Sequence, residues 1–190
     1  IQNSLFLPDV PEDAEVWCCA SSWRPHKRLV ENVRYFLEFS PEDSFLAVAG
    51  SGVDKPTLEK ISDLIRTYRN HRKNILILGD LSYEHLLGLY ARSKKMIHLA
   101  YLDHCPNVVV DAQASGCEVV CSSTGGTSEI LYRGEVISEK DWDYNPIALY
   151  EPPLIDFKNI SIEKVSRDVD FNKLFKNCVQ NYKSIFDSII

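Results

Sequence analysis

The fold of this 190-residue chain is decided by the stretch from Asp103 to Ile130, which reads DHCPNVVVDAQASGCEVVCSSTGGTSEI. The short apolar runs Met96–Ala100, before it, and Glu118–Cys121, inside it, have the length of buried strands. Between them, Pro106 and Asn107 predict a helix start, because proline suits the first helical turn and asparagine suits a cap. The stretch therefore predicts strand, loop, short helix, strand and a glycine loop.

Two carboxylates flank that helix start. Asp103 stands in the loop, and Asp111 lies about one turn into the helix. Ligands of open α/β sheets bind at the carboxyl ends of the strands, and the free N–H groups of a helix start favour anions. This arrangement suits a ligand with both phosphate and hydroxyl groups. A solvated loop acid and a helix-face acid remain the plainer interpretation of the residues alone, and Val108–Val110 prefers a strand.

The same stretch resembles the signature of glycosyltransferase family 4, whose members are retaining enzymes with two Rossmann-like domains (GT-B). That signature is an acid, seven residues, a second acid, then Ala-x-Ala-x-Gly, an apolar strand and Gly-Gly-x-x-Glu-Ile. The family usually has glutamates where this chain has Asp103 and Asp111, and a glycine where it has His104. The resemblance implies that Asp103 holds the hydroxyls of the donor sugar and that Asp111 holds the ribose.

A basic turn follows the first predicted strand, Val16–Ala20. It contains Arg24, Lys27 and Arg28 within five residues, at a strand-to-helix junction where an anion would be held. A basic helix end on the surface is the common alternative. The resemblance favours the first interpretation, because a Trp/Phe-Arg-Pro-x-Lys turn is one variant of the family's diphosphate-binding loop. It implies that Arg24 and Lys27 stabilise the leaving diphosphate, with Arg28 as a weaker candidate.

Further substrate contacts are expected from backbone groups. The resemblance places Gly79 and Leu81 against the nucleotide base, although a plain strand-to-helix turn explains Leu81 nearly as well. Ser82 is expected to cap the helix that follows. The Gly-x-Gly at Gly50 is a weak nucleotide signal that a tight turn also explains. Asn107 and Val108, at the predicted helix start, would offer their N–H groups to the ligand.

Composition limits the classes of protein. The length suits one ordinary domain, and the net charge of −6 argues against nucleic acid as the main partner. No apolar run is long enough to span a bilayer. The six cysteines form no Cys-x-x-Cys pair, and the histidines and cysteines show no ligand spacing, so neither a metal nor a cofactor is expected. Reduced cysteines and the lack of a secretion signal favour a cytoplasmic location.

The sequence thus predicts a Rossmann-like α/β fold, a parallel sheet with helices on both faces. We expect a connector from a missing N-terminal domain at 1–15, a nucleotide-sugar binding domain at 16–132, and at 133–190 an irregular segment, 133–158, with a C-terminal helix, 171–190. The resemblance implies the donor-binding domain of a retaining, metal-independent glycosyltransferase of hexosyltransferase type, inactive when isolated. Its partners would be a nucleoside-diphosphate-sugar, the missing acceptor-binding domain and a sugar or lipid-linked acceptor, and any peripheral membrane contact would come from the missing domain. A degenerate nucleotide-sugar binding module and a ligand-free α/β interaction domain are the alternatives.

Overall fold

The computed structural model describes Leu7 and residues 10–68 and 74–168. In this part of the chain, strands and helices alternate from Val16 to Ser122, and two more strands follow. The strands are β1 Val16–Ala20, β2 Phe45–Ala49, β3 Asn74–Gly79, β4 Lys95–His98, β5 Glu118–Ser122, β6 Arg133–Ile137 and β7 Ile162–Ser166. The helices are α1 Leu29–Phe39, α2 Lys55–Thr67, α3 Tyr83–Arg92 and α4 Asn107–Ala114, with 3-10 turns at Pro25–Lys27 and Pro146–Leu149.

The strands form one sheet in the order β3-β2-β1-β4-β5-β6-β7. All neighbouring pairs are parallel except β6 and β7, which pair antiparallel. The predicted Rossmann-like α/β fold is confirmed, with an antiparallel strand added at one edge. The chain moves outward from β1 to β3, then crosses back and continues outward from β4 on the other side. The loops after β1 and β4 therefore diverge, which opens a crevice at the carboxyl ends of these two strands.

Two apolar cores, one on each face of the sheet, hold the helices in place. Side chains of β1 alternate between them, because successive residues of a strand point to opposite faces. Trp17 and Cys19 pack with residues of α1 and α2, whereas Val16 and Cys18 pack with residues of α3 and α4. Burial on both faces explains why the central strands β1 and β2 are nearly continuous apolar runs.

The prediction of irregular structure from 133 to 158 is wrong for residues 133–137, which form β6. Charged residues interrupt this strand and hide it from a search for apolar runs. Glu135 tolerates half-burial because it accepts hydrogen bonds from Lys95 Nζ at 2.8 Å and from the Tyr35 hydroxyl at 2.6 Å. These two partners come from a neighbouring part of the sheet and from α1, so local sequence gives no sign of them.

Helix starts follow the predictions in part. The predicted cap at Ser82 is confirmed, since its hydroxyl accepts a hydrogen bond from the His85 amide. The predicted cap at Asn107 is wrong: Pro106 occupies the cap position without a side-chain bond, and Asn107 is the first helical residue. Residues 10–15 contain no helix or strand, as expected of a connector. The predicted C-terminal helix at 171–190 and the connector residues 1–6, 8 and 9 lie outside the described residues.

Candidate functional site

The basic turn between β1 and α1, residues 21–28, is held rigidly against β2. The Trp23 indole donates a hydrogen bond to the Ala49 carbonyl at 3.0 Å, and the Trp23 amide donates one to the Ser51 carbonyl at 2.8 Å. Gly50 passes so close beneath this turn that a Cβ there would lie 1.8 Å from the Ser21 carbonyl oxygen. Arg24 follows, with an exposed side chain that makes no hydrogen bond or ion pair with the described residues. Its guanidinium is free to bind an anion.

Lys27 and Asp103 meet across the crevice, although 76 positions separate them in the chain. The Lys27 ammonium donates a hydrogen bond to Oδ2 of Asp103, and both side chains are largely buried. The same oxygen lies 2.9 Å from Nε2 of His98. No hydrogen bond reaches the other oxygen, Oδ1, from the part of the chain that the structure describes. Asp103 is thus anchored through one oxygen while the other remains able to accept a hydrogen bond.

These contacts set the ionisation of the site. Burial by itself would raise the pKa of Asp103, but the hydrogen bonds from His98 and Lys27 outweigh it and hold that pKa well below its ordinary value. Burial lowers the pKa of His98, and the nearby Asp103 opposes this only in part. At neutral pH the site therefore contains an ionised Asp103 beside a neutral His98. Because a carboxylate can only accept, Nε2 of His98 carries the proton.

Backbone contacts fix the Asp103 loop in place. The Gly126 amide donates to the Asp103 carbonyl at 2.9 Å, and a Cβ at Gly125 would lie 2.4 Å from that carbonyl oxygen. The buried Asn32 side chain bridges the two loops of the crevice, since it donates to the Lys27 carbonyl and accepts from the Leu99 amide. The Thr-Gly-Gly loop and Asn32 therefore position Lys27 against Asp103.

A cavity of about 310 Å³ lies between the basic turn and the start of α4. It brings together four of the residues predicted from sequence: Arg24, Lys27, Asn107 and Val108. The helix start contributes unpaired N–H groups with a partial positive charge, and the two cations add full charges. This combination attracts a polyanion such as a diphosphate.

The other predicted residues do not line this cavity. Gly50 and Gly79 are joined by a hydrogen bond of 2.7 Å from the Gly50 amide, and a Cβ at Gly79 would meet nothing within 4 Å. Leu81 packs against the core beside α3 and α4. Asp111 is half-buried on α4, and its side chain makes no hydrogen bond or ion pair with the described residues. The structure therefore leaves the roles predicted for Asp111, Gly50, Gly79 and Leu81 as predictions.

Arg28, the weaker diphosphate candidate, is unsuited to that role. Its side chain is buried, its Nη1 lies 2.7 Å from a Glu139 carboxylate oxygen, and its Nη2 donates to the Pro153 carbonyl at 2.6 Å. Its guanidinium also stacks over the Tyr101 ring. Glu139 and Pro153 come from the segment after β6 and Tyr101 from the loop after β4, so the sequence around Arg28 did not reveal them.

Sequence reasoning missed His98 and Asn32. One signal for His98 was present: it is a polar residue within an otherwise apolar strand, five positions before Asp103. Asn32 carried no comparable signal, because a polar residue on an amphipathic helix is normally solvated.

Neither a metal centre nor a membrane-spanning helix is evident in residues 10–68 and 74–168. No group of three or more histidine, cysteine, aspartate or glutamate side chains there could hold a metal ion. None of the helices in the same part of the chain has the length and apolar character needed to cross a bilayer.

The fold and the crevice define a Rossmann-like α/β domain with an anion-attracting site at its topological switch point. Residues 8–144 match the family described as Glycosyl transferases group 1, and the chain belongs to that family. No curated protein matches the sequence.

Several solved structures share the fold. One is HepE of Anabaena in complex with UDP-glucose, with 17% identity and a TM-score of 0.57 over 68% of this chain and 36% of that one. Another is WaaG, a glycosyltransferase involved in lipopolysaccharide biosynthesis, with 17% identity and a TM-score of 0.54 over 75% of this chain and 37% of that one. The chain therefore spans little more than a third of the length of these proteins.

Proposed function

We propose that this chain is the donor-binding domain of a retaining glycosyltransferase of family 4, which transfers a hexosyl group from a nucleoside-diphosphate-sugar. One observation carries the proposal. At the topological switch point, the free guanidinium of Arg24 and the ammonium of Lys27 share a cavity with the start of α4, and Asp103 lies beside Lys27. A fold with this crevice binds its ligand there.

The two cations would bind the diphosphate. Negative charge develops on the leaving diphosphate as the bond to the sugar breaks, so fixed positive groups stabilise the transition state more than the ground state. The ammonium of Lys27 has three donors, and Asp103 takes only one. Lys27 can therefore contact a phosphate without leaving Asp103. Together with the N–H groups at the start of α4, these cations would offset the charge of a diphosphate without a metal, and metal independence is part of the proposal.

Asp103 would hold the sugar through Oδ1, the oxygen that remains free. Lys27 and His98 anchor Oδ2, so the direction of the carboxylate is set before a ligand arrives. Prior orientation lowers the entropic cost of binding the sugar hydroxyl. Asp111 would bind the ribose, and the backbone near Gly79 would lie against the base, where the open space beside Gly79 leaves room for a ring.

The acceptor is proposed to bind elsewhere. The related structures are nearly three times as long as the matched region, which leaves room for a second, acceptor-binding domain in such enzymes. Closure of that domain would exclude water from the crevice, so the chain alone should bind nucleotide without transferring sugar. The proposal extends to a cytoplasmic enzyme with a sugar or lipid-linked acceptor, whose membrane contact would come from the other domain.

Calorimetry tests the nucleotide site directly. UDP and GDP are titrated into the chain, into Arg24→Ala and Lys27→Ala, and into the control Lys55→Ala, whose side chain is exposed on α2. Loss of a hydrogen bond to a charged group is worth about 1.5–3 kcal/mol, so each site variant should weaken binding about ten- to a hundredfold while the control matches wild type. Failure of wild type to bind either nucleotide would refute the proposal.

One observation favours a second candidate, a nucleotide-sugar binding module without catalysis. Asp103 has a shorter side chain than the family's glutamate, and Lys27 holds it towards the diphosphate side of the crevice. Transfer assays on the chain joined to an acceptor-binding domain separate the two candidates, because the module would bind the donor and release no nucleotide.

A further inference from the structure

The sheet ends at β3 in an apolar edge strand. In the sheet order β3 stands last, and no other strand of the described residues pairs with its outer side. It reads NILILG, without a charged residue, and Ile77 keeps 47% of its surface exposed. Natural proteins usually block such an edge with charges, and β7, at the opposite edge, carries the exposed Glu163 and Lys164. An uncharged apolar edge is suited to pairing with a strand of another chain.

The backbone of β3 can form further hydrogen bonds on this outer side. The Asn74 amide donates to the Ser44 carbonyl at 3.0 Å, so the backbone of Asn74 is directed towards β2. Because alternate residues of a paired strand direct their backbone groups to opposite sides, Ile75 and Ile77 direct theirs outward. Antiparallel pairing of two β3 strands would place Ile77 of each copy opposite Ile75 of the other. Each such pair exchanges two hydrogen bonds, and Ile75 would cover the exposed Ile77 side chain.

Helix α2 presents an exposed apolar stripe that has the same symmetry. Leu58 and Ile65 lie two helical turns apart on one side of α2, and they are 42% and 40% exposed. Glu59 and Arg66, each one position further on, flank them on the solvent side. In an antiparallel pair of α2 helices, Leu58 meets Ile65 of the other copy and Glu59 lies near Arg66. A parallel pair would oppose like charges, so the stripe is complementary to itself only in the antiparallel orientation.

Both contacts can occur in one dimer. Helix α2 lies over the β2–β3 end of the sheet, because Ile61 and Leu46 belong to one core cluster against which Ile75 packs. Neighbouring strands lie about 4.8 Å apart, so pairing of two β3 strands would bring two helices in this position to about 10 Å from each other. Helices in contact pack roughly 8–10 Å apart.

We propose that two copies of this chain form a two-fold symmetric dimer through β3 and α2, which joins their two sheets into one. The occupant of the β3 edge is a second copy because this surface complements itself in strand direction, in its apolar stripe and in charge. The crevice between the loops after β1 and β4 remains open in this dimer. The inference therefore goes beyond the proposed function and does not depend on it.

Sedimentation velocity of the chain from about 1 to 100 μM tests the strand contact. The proteins are wild type, Ile77→Lys, and the matched control Ile162→Lys, which places the same charge on an exposed isoleucine of the opposite edge strand. We expect wild type and the control to dimerise. Ile77→Lys should raise the Kd of the dimer at least about tenfold, because two ammonium groups would be forced into the interface.

Charge reversal on α2 tests the two-fold arrangement, and it decides the outcome if Ile77→Lys fails to fold in circular dichroism. Glu59→Arg would oppose arginines at two symmetric places and should weaken the dimer about tenfold. Adding Arg66→Glu to this variant should restore the dimer, because the pair is then reversed in both copies. Lys60→Glu is the control, since Lys60 lies on the side of α2 away from Leu58.

Three outcomes would overturn the dimer. They are a wild type that sediments as a monomer throughout, equal weakening by Ile77→Lys and Ile162→Lys, and a failure of Arg66→Glu to restore what Glu59→Arg loses. Titrations with UDP and GDP separate this inference from the proposed function. Nucleotide affinity in the α2 variants should stay within about twofold of wild type, since Glu59 and Arg66 do not line the diphosphate cavity. A monomer that binds nucleotide refutes the dimer alone, and a dimer that binds no nucleotide refutes the proposed function alone.

Discussion

Neutralising Asp103 should strengthen the binding of free nucleotide while it weakens the binding of the sugar conjugate. The Asp103 carboxylate lies against Lys27, and its pKa well below the ordinary value keeps it charged. It therefore cancels part of the positive potential that attracts a diphosphate. Asp103→Asn removes this charge, keeps the shape of the side chain, and leaves an amide that holds a sugar hydroxyl less strongly than a carboxylate does.

The expected size of the effect follows from Coulomb's law. A carboxylate and a phosphate that share one ammonium lie about 6 Å apart, which corresponds to about 0.7 kcal/mol of repulsion in water and about 3 kcal/mol at an effective dielectric constant of 20. Asp103 keeps 16% of its side-chain surface exposed, so the value lies between these limits. About 1.4 kcal/mol is a tenfold gain in affinity for UDP or GDP.

A double-mutant cycle by calorimetry at low ionic strength measures this effect. Free nucleotide and nucleotide-sugar are titrated into wild type, Asp103→Asn, Lys27→Met and the double variant, with circular dichroism to confirm folding. If the gain in affinity for free nucleotide arises from removing direct repulsion by Asp103, it should be about equal with and without Lys27. If Asp103 acts by engaging the Lys27 ammonium, the gain should shrink when Lys27 is replaced. Asp111→Asn is the matched control, which should weaken both ligands alike. Equal losses of free nucleotide and conjugate in Asp103→Asn would refute the division of roles between the two acids.

Four further outcomes are expected. His98→Phe should weaken binding of the nucleotide-sugar but not of the free nucleotide, because Asp103 loses the donor that orients it. His98→Gln should restore binding. Equal losses of affinity for both ligands in titrations would contradict this role of His98. Because the pKa of Asp103 is lowered in the folded protein, its ionised form stabilises the fold above about pH 4, and this contribution is lost as the pH falls further. The thermal unfolding temperature of Asp103→Asn should therefore approach that of wild type in acid. Gly50→Ala should destabilise the fold by about 2 kcal/mol or more in urea titrations, because its Cβ would clash with the Ser21 carbonyl. Gly116 also has a positive φ but has open space around it, so Gly116→Ala should show only the cost of that backbone conformation. Equal losses of stability in the two variants would contradict the clash. EDTA should leave nucleotide affinity unchanged in calorimetry, and a loss that magnesium restores would show that a metal takes part.

Local pattern determined the class of fold. Short apolar runs such as Val16–Ala20 and Phe45–Ala49 alternate with helical stripes, and both kinds of period can be recognised within a window of some ten residues. The switch from strand to helix also placed Arg24, Lys27 and Asp103 in loops at the carboxyl edge of the sheet. The sequence also placed Asp111 on the helix that follows the Asp103 loop. Any helix that starts near Asn107 includes Asp111, so a small error in the predicted start does not change this placement.

Contacts between distant segments were decided only by the tertiary structure. Arg24 and Arg28 are similar in sequence context. The first is exposed and its side chain has no partner among the described residues, whereas the second is buried against Glu139, 111 positions away. The meeting of Lys27, His98 and Asp103 likewise depends on β1 and β4 becoming neighbours. Periodicity reports which face of an element is buried, but it carries no information about which other segment covers that face. Strand order supplies that information, and it arises from the packing of the whole sheet.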